Sequence, residues 1–194
     1  MLLRLILFIF LFGLNSNGYT QDANMKKVVM IIAKQDFRDE ELLEPKKVLE
    51  DNGIIVKIAS TVLGEVKGVL GAQVKTDLLV RDIRVSDFDA LVFVGGAGAA
   101  QYWDDLLAHK LVQDTLKDPN KILAAICIAP VTLAKAGVLK DRKATVWPSE
   151  SEQLKSMGAN YTGNDVEKDG NVITASGPSV AKRFGEEIVK ALKK

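Results

Sequence analysis

One cysteine and one histidine in 194 residues are the first constraint that this sequence imposes. Cys127 has no partner for an internal disulfide, so its thiol stays free even in an oxidising compartment. A lone Cys and a lone His109, in separate segments, fall short of the four-ligand set that zinc prefers, and neither a metal nor another cofactor is expected. Charge of one sign is also missing. The 26 Lys and Arg are interspersed with 25 Asp and Glu, which leaves no electrostatic footprint for nucleic acid. The Gly95-Gly-Ala-Gly98 turn lacks the Lys-Ser/Thr of a phosphate loop. With five prolines and no repeat, linker or low-complexity tract, and with 47% hydrophobic residues, the chain suits one full core.

No apolar run reaches the ~20 residues that span a bilayer, so no stable membrane anchor is expected. The longest is Leu5 to Leu14, preceded by Arg4 and followed by the polar stretch Asn15 to Asn24. That layout fits a secretory signal peptide over residues 1–18, cut after Gly18, with a disordered segment at 19–25 and export to the periplasm or medium. The alternative is translation from Met25 and a cytoplasmic protein.

From Lys26 onward, short apolar runs alternate with helix-like stretches, the pattern of a parallel sheet covered on both faces. Strands are predicted at Val28–Ala33, Ile54–Ser60, Leu91–Val94, Ile122–Ile126, Ala144–Val146 and Ile173–Ser176. Helices are predicted at 39–52, 103–116, 129–139, 150–157 and 179–192, with a hairpin-like insert at 62–74 and a tight Asp-Gly turn at 169–170. The fold class is α/β, a three-layer α/β/α sandwich with a mostly parallel central sheet, in one domain over 26–194.

In such a sheet, chemistry collects beyond the carboxyl ends of the strands. Cys127 ends a buried strand where a helix begins, a place where unpaired N–H groups and the helix dipole favour a thiolate. Helix-start cysteines fall from a free-thiol pKa near ~8.5 to roughly 3.5–7.5, so a largely ionised thiol is expected. Glu41, Gly95, Gly96, Ile128, Ser176, Gly177 and Pro178 come from the loops that converge there. The N–H groups of Gly96 and Ile128 would form an oxyanion pocket, and a buried Glu41 would be pushed toward its protonated form and donate to sulfur.

Together these segments resemble the DJ-1/PfpI superfamily of the class I glutamine amidotransferase-like fold. The matching pieces are Phe37 to Pro45, Phe88 to Gly96, Ala124 to Pro130, Lys143 to Pro148 and Asp169 to Pro178, in the family's order. The resemblance implies that Cys127 is the reactive cysteine at a nucleophile elbow, Glu41 its carboxylic partner, and Gly96 and Ile128 the backbone donors. It implies a pocket flanked by Trp147, and a homodimer or higher homo-oligomer. Ile128 stands where peptidase members carry a histidine, and Trp147 where glyoxal-processing members often carry one. His109 is predicted structural. Three functions stay open: a glyoxalase- or deglycase-like enzyme acting on small electrophilic carbonyls or the proteins they modify, a redox-sensing stress-response chaperone oxidised at Cys127, and a cysteine peptidase or amidase.

Overall fold

The computed structural model describes residues 25–194; the leader expected at 1–18, and all but the last residue of the segment expected at 19–25, lie outside the described residues. Twelve strands run in chain order: β1 (Lys27–Ile31), β2 (Gln35–Phe37), β3 (Ile55–Ser60), β4 (Gly64–Gly68), β5 (Gln73–Thr76), β6 (Leu78–Leu79), β7 (Ala90–Phe93), β8 (Ile122–Ile126), β9 (Lys143–Ala144), β10 (Asn160–Tyr161), β11 (Val166–Asp169) and β12 (Val172–Ala175). The α-helices are α1 (Asp39–Asp51), α2 (Leu106–Leu116), α3 (Pro130–Lys135), α4 (Ser151–Ser156) and α5 (Ala181–Leu192). Seven strands form the central sheet in the order β11-β12-β8-β7-β1-β3-β6, parallel except for β11.

A parallel sheet buried on both faces needs apolar side chains at odd and even positions alike. β1 supplies them: Val28 and Met30 enter the layer with Leu42 and Leu49 of α1 and Phe184 and Ile188 of α5, whereas Val29 and Ile31 enter the layer with Leu111 of α2, Leu133 of α3 and Leu154 of α4. β8 divides in the same way, with Ile122, Ala124 and Ile126 on one side and Leu123 and Ala125 on the other. The expected three-layer α/β/α sandwich is therefore observed.

Local differences have local causes. The helix expected at 129–139 stops at Lys135, because Gly137 turns at φ +80°. The helix expected from Trp103 begins only after Asp105, whose Oδ1 accepts from the N–H groups of Leu107 (2.8 Å) and Ala108 (3.0 Å), and a 3₁₀ turn over Ala97–Tyr102 precedes it. The strand expected at Ala144–Val146 is the short β9, which pairs with β10 outside the central sheet. The insert at 62–74 becomes β4 and β5, with β2 added in parallel to β4. Because β1, β7, β8 and β12 are adjacent, the loops leaving their carboxyl ends meet at one place.

Candidate active site

Cys127 is the first residue past β8, and its φ of +62° is left-handed. A side chain in that region costs about 1–3 kcal/mol, which the neighbouring hydrogen bonds offset. Its N–H donates to the Ala175 carbonyl (2.9 Å), its carbonyl accepts from the Trp147 N–H (2.8 Å), and Trp103 Nε1 donates to the Ile128 carbonyl (3.2 Å). The chain is thus bent into a sharp elbow that sets Cys127 at the edge of the core, where it lines a cavity. The N–H groups of Gly96 and Ile128 approach the sulfur and favour its anion.

Opposite stands Glu41, in the first turn of α1 and fully buried. Pro45 lies one turn on, inside the helix, and has no N–H to bond the Glu41 backbone carbonyl. Between acid and thiol lies Gly95, where a Cβ would collide with Glu41 Oε2 and Cys127 Cβ. At Gly96, φ is +92° and a Cβ would run into the backbone of residues 36–38. The Gly95 carbonyl accepts from the Arg38 N–H (3.0 Å), which ties the loop before α1 to the loop after β7. Both glycines are therefore demanded by close approach.

The electrostatics correct one expectation. Burial pushes the Glu41 carboxyl up to about 7, and burial followed by the Glu41 charge pushes the Cys127 thiol up to about 12. No helix-start depression survives, since α3 has only six residues and Cys127 is buried. Neither Glu41 oxygen closes a hydrogen bond of full geometry among the described residues, although the thiol and the Gly95 N–H lie near enough to favour its ionised form in part. The two groups share one site, so ionisation of Glu41 makes the thiol hold its proton more tightly. In place of a free thiolate, the site offers a thiol beside the carboxylate that can take its proton.

A cavity of about 420 Å³ opens over the sulfur, lined by Arg38, Glu41, Val69, Gly96, Ala97, Cys127, Ile128, Trp147, Ser149 and Pro178. Trp147 and Pro178 take their expected places. Three pocket expectations are corrected: Gly95 is packed between Glu41 and Cys127, the Ser176 N–H is turned to the Asp165 carbonyl (2.9 Å), and Gly177 lies against the Trp147 ring, so none of the three lines the cavity. His109 lies on α2 and does not line the cavity, its Nε2 at 2.8 Å from the Trp103 carbonyl. Among the described residues no group of three His, Cys, Asp or Glu is placed to hold a metal ion.

Arg38, Val69, Ala97 and Ser149 were not predicted. Arg38 carried a signal: a cation at a helix N-cap opposes the dipole, and a local conflict of that kind points to function. Val69 had none, because its place depends on the fold of the β4–β5 hairpin.

The sequence profile of the DJ-1/PfpI family matches residues 26–191. The chain belongs to the DJ-1/PfpI family. A family relative from Methanocaldococcus jannaschii is 44% identical over 183 residues, covering 93% of this chain and 89% of that protein. Deglycase PH1704 of Pyrococcus horikoshii is 32% identical over 165 residues, covering 85% of this chain and 99% of its own. Among solved structures, the ThiJ/PfpI domain protein from Brachyspira murdochii superposes with a TM-score of 0.84 at 33% identity, over 87% of this chain and 97% of that one. The family and the fold are therefore settled together, and some of its members are named as enzymes.

Proposed function

We propose that the protein is a cysteine-dependent enzyme acting on small reactive carbonyls, or on the early adducts they leave on proteins. The observation that carries this reading is the meeting of Cys127, Glu41 and the Gly96 and Ile128 amides at one apolar cavity, in a chain with no histidine at the site. A deglycase among its relatives supports the same substrate class. Sulfur attacks the carbonyl carbon as Glu41 takes the thiol proton, and the two amides hold the oxyanion until that proton is returned, giving a hemithioacetal. With methylglyoxal, Glu41 then moves a proton from the sulfur-bearing carbon to the adjacent carbonyl carbon, while the hydroxyl proton on the sulfur-bearing carbon passes to the neighbouring oxygen, leaving a lactoyl thioester. One water hydrolyses it to lactate and restores the thiol; oxidation at one carbon is balanced by reduction at its neighbour.

Incubation of the purified protein with methylglyoxal is the test. Lactate should accumulate with wild type and fall to the uncatalysed level with Cys127→Ser; equal yields would sink the proposal. A peptidase reading has less support, since the base that a Cys-His hydrolase uses is held on α2 by Trp103. Export through the leader and self-association into a homodimer complete the proposal.

A further inference from the structure

Among the described residues one cation lines the cavity, and half of it is spoken for. Arg38 uses Nε (2.8 Å) and one Nη (3.0 Å) to bind both oxygens of Glu40, while Nη1 has no hydrogen-bond partner among the described residues. Beyond the Cys127–Glu41 pair, the other walls are Val69, Ala97, Ile128, Trp147 and Pro178, which are apolar, with Gly96 and the uncharged Ser149. A neutral dicarbonyl would leave that guanidinium unused. We infer that Arg38 is the specificity-determining residue of the site, and that the preferred electrophile carries a carboxylate beside its carbonyl, as a 2-oxo acid does.

This rests on the proposed nucleophilic role of Cys127. The carboxylate meets the free edge of Arg38, the carbonyl oxygen meets the Gly96 and Ile128 amides, and the carbonyl carbon faces sulfur. The guanidinium also offsets the single negative charge shared by Cys127 and Glu41, which would otherwise repel an anion. With glyoxylate, the S–C bond forms, the carbonyl π pair moves to oxygen, and the thiol proton passes through Glu41 to that oxygen. Nothing is oxidised or reduced, and the product is a reversible hemithioacetal. Glu40 sets the strength of the effect by occupying part of the fork.

Two alkylating agents of nearly equal shape read the charge preference directly. Iodoacetate is an anion and iodoacetamide is neutral, and their rate ratio at Cys127 cancels any change in thiol ionisation. The ratio should exceed that of 2-mercaptoethanol, fall about tenfold in Arg38→Gln, the scale of one charge-assisted hydrogen bond, and rise in Glu40→Gln. Opposite shifts in the two variants cannot come from misfolding. Glyoxylate should also protect Cys127 from iodoacetamide at lower concentration than methylglyoxal does in wild type, but not in Arg38→Gln. Labelling by iodoacetamide with an unmoved ratio in both variants overturns the Arg38 assignment alone. Absence of any Cys127 labelling overturns the nucleophile reading and this inference with it.

Discussion

At the residue scale, the chemistry turns on one buried carboxyl. Glu41 has its pKa raised from 4.5 to about 7 by burial, so its contribution to stability is complete below about 4.5 and is lost as pH rises through 7. At 1.36 kcal/mol per pH unit, the ionised form costs the fold roughly 3 kcal/mol. Glu41→Gln removes that cost: its melting temperature should exceed that of wild type by a margin that widens between pH 4.5 and 7. The same variant tests the thiol. Wild-type alkylation should rise through about pH 7, as Glu41 becomes able to accept the thiol proton. Glu41→Gln should lose that step and move the thiol's own titration below about 12, because no charge then opposes the thiolate. Superimposable profiles would show that Glu41 and Cys127 are uncoupled.

At the element scale, the tip of the β4–β5 hairpin is held by one side chain of α1. Asp39, 5% exposed, accepts from the Leu70 N–H (2.8 Å, Oδ2) and the Ala72 N–H (2.7 Å, Oδ1), and leaves no room for a side chain at Gly68. Those bonds set Val69 against the cavity. Asp39→Ala leaves two amides without partners and should destabilise the fold by about 2–4 kcal/mol in urea denaturation. Its effect on turnover should fall on KM more than on kcat, since Val69 shapes the cavity but touches no proton in the reaction. A pure loss of kcat would contradict that division. The helix itself was legible, from Asp39 to Asn52, because apolar spacing and first-turn acids mark it. The hairpin contact was not, because residues 39 and 70 are joined only when β2 pairs with β4.

At the scale of the whole molecule, Leu43, Val69 and Leu70 stand 44%, 47% and 60% exposed around the start of α1. The proposed homodimer would cover apolar surface of this kind, and sedimentation at micromolar concentration should give twice the chain mass; a monomer would remove self-association from the proposal. Much of the molecule was determined by the sequence alone. Parallel-sheet strands buried on both faces are continuous apolar runs, so β1, β7 and β8 could be placed within a residue or two, and motif order brought Cys127, Glu41, Gly95, Gly96 and Ile128 to one end of the sheet. Tertiary structure decided what depends on surroundings. It raised the thiol pKa that a helix start was expected to lower, because desolvation and a second acid outweigh a six-residue helix. It withdrew Gly95, Ser176 and Gly177 from the cavity and admitted Arg38, Val69, Ala97 and Ser149. Order along a chain fixes which loops meet, whereas burial, charge and the direction of each side chain arise only once they have met.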